Sequence, residues 1–218
     1  AVGEGGTIIK TSDGGNSWVS VTGGGSDRLN SVYFIDSNTG WIVGNNGTIL
    51  KTSNGGTSWL QQISGVTDPL YSVFFINLNS GWSTGEDNTI LKTTNGGTNW
   101  IFQQDTLPKS VQSIYFTDEN NGCAVGIDYD GNNYFGVIIK TSDGGASWTN
   151  QYSGYWLLSI YFTDSNTGWA IGSGIILKTT DGGTDWSPQI SGTSYQLYSV
   201  HFSDSNSGWA VGYDGNAS

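Results

Sequence analysis

Glu86 and Asp87 stand together in the stretch GEDNT, and Asp128 and Asp130 flank Tyr129 in IDYDGNNY. Paired carboxyl groups can carry acid–base chemistry, above all on glycosidic bonds, where one protonates the leaving oxygen and the other attacks or activates water. Asp128, Asp130 and Asn132 also alternate oxygen donors like the opening of a calcium loop, although the bidentate Glu that closes such a loop is missing. Aromatic residues gather in the same kind of segment: Tyr129 and Tyr134 in one turn, Tyr152, Tyr155 and Trp156 in QYSGYWLL, and Tyr195 and Tyr213 further on. Aromatic faces beside Asp and Asn suit sugar rings or the side chains of a peptide. Other chemistries run short of residues. A Ser-His-Asp triad would have to use the one histidine, His201, and zinc would find one Cys and one His. No residue is assigned a catalytic role, and no cofactor is expected. The formal net charge of -11 argues against nucleic acid, because phosphate binding needs clustered Lys and Arg. No apolar run is long enough to span a membrane, so no direct membrane insertion is expected.

These residues are set in a chain that repeats itself. KTSDGGNSW at 10–18 returns as KTSNGGTSW at 51–59, KTTNGGTNW at 92–100, KTSDGGASW at 140–148 and KTTDGGTDW at 178–186. A period near 40 residues is the mark of a propeller or a solenoid. Each unit predicts four short strands. In the unit from 31, SVYFID is the first, SNTG a turn, GWIVG the second, NNG a turn, TILKT the third, NGGTS a turn, and the segment from Trp59 the fourth. No stretch has helical periodicity. The fold class is therefore all-β, a β-propeller of four-stranded antiparallel blades.

The repeated phrase has a structural explanation. Asp13, Asn54, Asn95, Asp143 and Asp181 stand where a short polar side chain can bond the backbone N–H groups that follow, and the glycines supply backbone angles closed to other residues. Trp18, Trp59, Trp100, Trp148 and Trp186 then close each turn against the sheet. A buried Trp removes roughly 150–250 Å² from water. At about 25 cal/mol per Å² that is several kcal/mol per blade before conformational entropy is charged against it. A turn that specifies a fold must recur in every blade, whereas a catalytic site need not.

The pattern T-x-[DN]-x-G-x-S-W resembles the Asp-box, or sialidase-type BNR, repeat. The wider unit, a GW strand followed by a TILKT strand and the box, is similar to the photosystem II assembly-factor-like propellers, a family also found in secreted bacterial proteins. The resemblance implies that the box is a structural hairpin lying away from the binding face. It also implies three functions to weigh. Sialidase chemistry needs an arginine cluster, and this chain has Arg28 alone. Glycoside hydrolases with such boxes place two propellers around one cleft, so a single propeller would be a fragment of one. A photosystem assembly factor of this family carries a basic patch that has no counterpart here.

Five boxes and five second strands, with Cys123 in the Trp position of one, predict five blades, unless the chain is part of a larger ring. The expected boundaries, within one domain over 1–218, are about 31–70, 71–111, 112–157 and 158–197, with a composite blade from 198–218 plus 1–30. One detail resists the composite blade: AVG stands at 1–3 and again at 210–212. The box end of the blades hardly varies, while the second-to-third turns and interblade connections vary greatly, and variable loops on a uniform scaffold are where function resides. Outside the repeated positions the chain has two cations, Arg28 and Lys109, against nine acids: Glu4, Asp27, Asp68, Glu86, Asp87, Asp105, Asp128, Asp130 and Asp214. That end should attract cations or basic partners. The expectation is a non-enzymatic binding or scaffold propeller, bacterial and secreted, periplasmic or cell-surface, that takes a protein or glycan partner and could belong to a longer chain with further domains. The expected ligand-binding residues are Glu86, Asp87, Asp128, Tyr129, Asp130, Tyr152, Tyr155, Trp156, Tyr195 and Tyr213. The alternatives are a fragment of an Asp-box glycoside hydrolase and a photosystem II assembly-factor-like chaperone.

Overall fold

The structure, a computed structural model, describes residues 1–103 and 108–213. Asp105, Asp214 and the last residues of the expected composite blade lie outside the described residues. The chain divides into two compact units, Ala1–Gln103 and Gln104–Ser218. Every sheet is antiparallel and its strands are neighbours in sequence.

In the first unit, β1 (Ile9–Lys10) pairs with β2 (Val19–Ser20). Strands β3 (Leu29–Phe34), β4 (Gly40–Gly44), β5 (Ile49–Thr52) and β6 (Leu60–Gln62) make one four-stranded blade. Strands β7 (Leu70–Phe75), β8 (Gly81–Gly85), β9 (Ile90–Thr93) and β10 (Ile101–Phe102) make the next. In the second unit, β11 (Ser110–Phe116), β12 (Gly122–Tyr129), β13 (Tyr134–Thr141) and β14 (Thr149–Gly154) form a blade. Strands β15 (Leu157–Phe162), β16 (Gly168–Gly172), β17 (Ile176–Thr179) and β18 (Ser187–Gln189) form another. A two-stranded sheet of β19 (Gln196–Phe202) and β20 (Gly208–Tyr213) follows.

The chain thus has four complete propeller blades, and the expectation of five is corrected. The reason lies at β1. Ala1–Gly3 run along its free edge, where the Ile9 N–H donates to the Ala1 carbonyl at 2.9 Å, the Ala1 ammonium donates to the Ile9 carbonyl at 2.8 Å, and Val2 bridges Ile8. That edge is where the second strand of a composite blade would have to pair. The first AVG occupies it, while the second AVG, in β20, pairs with β19 as the second strand of every blade pairs with its first.

Blades pack through their second strands. GWIVG, GWSTG and GWAIG are buried at every position. Glycine opens each of them because the preceding strand's Phe lies against it: a Cβ on Gly40 would sit 2.8 Å from the Phe34 ring. The indole of Trp41 stacks on Phe75 of the following blade, with centroids 3.4 Å apart and planes 9° apart, while Trp100 meets the same Phe75 edge-on at 5.8 Å. Trp169 stacks on Phe202 in the second unit at 3.7 Å. First strands are tied blade to blade as well. The Ile160 N–H donates to the Ser113 hydroxyl at 3.4 Å, and the Val200 N–H to Ser159 at 3.3 Å.

The box hairpins are hydrogen-bonded within themselves. In the blade of β3–β6, the Thr52 hydroxyl donates to Asn54 Oδ1 at 2.9 Å and accepts the Gly56 N–H at 2.9 Å, while Ser58 N–H donates to Asn54 Oδ1 at 3.0 Å. The same three bonds recur around Asp143 and Thr141. Each hairpin is pinned to the first-to-second turn of its own blade, since Gly55, Gly96, Gly144 and Gly182 donate to Asn38, Asn79, Asn120 and Asn166 at 2.8 to 2.9 Å. Trp59, Trp100 and Trp148 are buried behind them, whereas Trp18, in the hairpin that joins β1 to β2, is 51% exposed.

Candidate functional site

The longest second-to-third hairpin of the described residues stands on β12 and β13. These strands have eight residues each, where the equivalent β4 and β5 have five and four. The extra register pairs Asp128 with Phe135 and Tyr129 with Tyr134, so the two tyrosines are carried beyond the blade's end. Their rings lie 4.8 Å apart at 36°. The tip is tightly knit: Asp130 Oδ1 accepts the N–H groups of Asn132 and Asn133 at 2.8 and 2.7 Å, and the Tyr129 hydroxyl donates to the Gly131 carbonyl at 2.6 Å. Those two backbone bonds, first Asn133 and then Asn132, hold the Asp130 carboxyl below its ordinary range.

The connection from β14 to β15 lies beside this hairpin. A Cβ on Gly136 would overlap the Tyr155 carbonyl oxygen, so the close approach requires glycine there. The Trp156 indole N–H donates to the Tyr134 carbonyl at 3.4 Å, and the Tyr155 N–H donates to the Tyr152 hydroxyl at 3.2 Å. Tyr152 is half-buried and packs against the core cluster of Cys123, Val125 and Ile138. Tyr129, Tyr134, Tyr155 and Trp156 remain 46, 57, 62 and 43% exposed. A cluster of amphipathic rings this exposed, on a hairpin this constrained, can bind a ring or side chain without ordering much of itself.

Other expected site residues sit elsewhere. Tyr195 and Tyr213 are exposed at the neighbouring blade, where Gln196, next to Tyr195, pairs with Tyr213. Glu86 and Asp87 lie in the first unit, in the turn after β8. Glu86 accepts the Tyr71 hydroxyl at 2.8 Å, and burial with that bond pushes the Tyr71 phenol up to about 12. Asp87 takes a left-handed backbone, with φ of 47°. Asp128 Oδ1 accepts the N–H of Tyr129 at 2.9 Å and of Lys109 at 3.3 Å. Backbone amides thus bond one carboxylate oxygen, Oδ1, of each of Asp128 and Asp130. Among the described residues no group of three or more His, Cys, Asp or Glu side chains is placed to hold a metal. His201 lies beside Tyr161 at 5.0 Å, continuing a row of first-strand rings that begins with Tyr115.

A second concavity, at the box end of the second unit, was not anticipated. Its volume is about 260 Å³, and Cys123, Lys140, Asn121, Asn166 and Asp181 line it. Burial pushes the Cys123 thiol up to about 12, so it carries no thiolate near neutrality. The signal was present in the sequence as a Cys in a position that the other second strands give to Trp.

A family model described as photosynthesis system II assembly factor YCF48 matches residues 1–61 and 17–153. No curated protein matches the chain. Among solved structures, YCF48 from Cyanidioschyzon merolae is 20% identical, with a TM-score of 0.59, over 98% of this chain and 88% of that one. A structure described as YCF48 bound to D1 peptide is 21% identical, with a TM-score of 0.54, over 97 and 85%. The GH74 enzyme of Niastella koreensis is 18% identical, with a TM-score of 0.65, over 85% of this chain but 34% of its own. At these identities the structural matches speak for the propeller fold, and the family model speaks for descent. The chain belongs to the photosynthesis system II assembly factor YCF48 family.

Proposed function

We propose that this chain is a non-enzymatic binding propeller that takes a protein partner on the aromatic, acidic end of its second unit. The observation that carries this reading is the exposed cluster of Tyr129, Tyr134, Tyr155 and Trp156, braced by backbone bonds and lying next to Asp128 and Asp130. Rigid aromatic side chains at the centre of an interface contribute most of its binding energy, and carboxylates around them select a basic segment. A related propeller has been solved with a peptide bound, which supports a peptide partner over a glycan. A secreted or periplasmic setting fits this reading and is part of the proposal.

The test is a titration of the chain with two peptides of equal length, one from D1 and one lysine-rich with a central aromatic residue. Saturable binding of the lysine-rich peptide is expected. Trp156→Ala should weaken it about tenfold or more, or roughly 1.4 kcal/mol. Binding that is absent, or indifferent to Trp156→Ala and Tyr155→Ala together, overturns the reading. Family membership favours a second reading, an assembly factor for a photosystem. Tight, selective binding of the D1 peptide would support it. A glycoside hydrolase fragment predicts release of reducing ends from polysaccharide, lost in Asp128→Asn with Asp130→Asn; no release is expected.

A further inference from the structure

The concavity at the box end of the second unit is a tryptophan position without its indole. In the first unit that position is filled. The Trp41 indole stacks on Phe75, its N–H donates to the Gly96 carbonyl of the next hairpin at 3.3 Å, and the Lys51 ammonium lies 5.3 Å from the ring centroid while donating to the same carbonyl at 2.8 Å. Trp169 repeats the arrangement in the second unit, stacked on Phe202 with Lys178 at 5.2 Å.

In the blade of β11–β14 the residue is Cys123, and the frame around it persists. Phe162 still meets Trp186 edge-on at 6.0 Å, as Phe75 meets Trp100. Lys140 still reaches the next hairpin, donating to the Thr184 hydroxyl at 2.8 Å. Gly182, the counterpart of Gly96, has its carbonyl 4.0 Å from the Cys123 sulfur, the long limit of such a contact. Cys123 and Phe162 are each 2% exposed and both line the inner wall of the concavity. The concavity has a volume of about 260 Å³, and Asp118, Asn121, Asn166 and Asp181 give it a polar rim around Cys123 and Phe162.

We propose that this cavity is a binding site for a flat aromatic ring bearing an N–H, of the indole class, which would donate to the Gly182 carbonyl and lie under the Lys140 ammonium. The site is the cavity and its hydrogen-bonding frame; the thiol is a bystander. The ring can come from a free heterocycle or from the tryptophan of a partner, and the two call for the same contacts. This site lies at the opposite end of the blade from the aromatic hairpin and does not depend on the function proposed there.

The test uses the ¹⁵N-labelled chain titrated with indole and, separately, with N-acetyltryptophanamide. Indole should shift the amide signals of Gly182, Gly183 and Thr184 saturably. Cys123→Ala, which opens the cavity further, should keep that binding or tighten it. Cys123→Trp should abolish it and raise the melting temperature, because the chain then fills its own position. Binding of both ligands assigns the site to a partner's side chain, and binding of indole alone assigns it to a free ring. The proposal is overturned if no saturable shifts occur, if the shifts map to residues away from 182–184, or if they persist unchanged in Cys123→Trp. Because the wild-type shift map decides on its own, a failure of the Trp variant to fold leaves the test intact.

Discussion

At the scale of single residues, the Asp-box shows how one carboxylate can be made structural. Hydrogen bonds from Ser17, first through its hydroxyl and then its N–H, hold the Asp13 carboxyl at about 2, and Ser147 does the same for Asp143. Asn54 and Asn95 occupy the same place without charge, and their Oδ1 atoms accept the N–H of Ser58 and Asn99 at 3.0 and 2.9 Å. A carboxyl whose folded value lies below the ordinary 3.8 contributes stability that is complete above about pH 4. That contribution is lost as the pH falls toward 2. The melting temperature should therefore drop across this window, and Asp13→Asn with Asp143→Asn should flatten part of the drop. Thermal scans at closely spaced pH values check this. An acid limb of unchanged steepness in the double variant would assign the loss to other groups, such as Asp36 or Asp164, whose carboxyls are also lowered by N–H groups in their turns.

At the scale of elements, the unit of stability is a Phe held between two tryptophans of different origin. Trp41 comes from the preceding blade's second strand and Trp100 from the same blade's box, and Phe75 joins them. Trp100 is 9% exposed, so Trp100→Ala should cost about 3–5 kcal/mol. Trp18 has the same place in the repeat but is 51% exposed, and Trp18→Ala should cost well under half as much. Denaturant unfolding of the two variants measures both. A similar cost for each would mean that the indole matters through its turn rather than its burial. The contrast also shows what a repeat reveals. The box hairpin was legible because its Thr, its Asp or Asn, its Gly pair and its Trp recur at constant spacing, so strand order and the uniform end of each blade could be read directly. The aromatic end was legible only as a collection of exposed types. That Trp156 reaches the Tyr134 carbonyl, while Glu86 and Asp87 belong to a different unit, depends on strand extension and long-range pairing that have no local sequence signature.

At the scale of the whole molecule, the blade count and the charge were the two readings to settle. The chain has four complete blades rather than five because Ala1–Gly3 pair with β1, which is consistent with the duplicated AVG of the sequence. Charge leads to a test of a different kind. With a formal net charge of -11 the chain repels itself, and added salt screens that repulsion within a Debye length of about 8 Å at physiological strength. Raising salt from about 0.05 to 0.5 M should therefore raise the melting temperature slightly. The same screening should weaken capture of a lysine-rich peptide, mainly by slowing association, since long-range attraction governs encounter more than residence. Stability and binding are thus expected to move in opposite directions along one salt series, which calorimetry and stopped-flow mixing can follow on the same samples. If binding instead strengthens with salt, the aromatic rings alone hold the partner, and the acidic residues around them serve solubility.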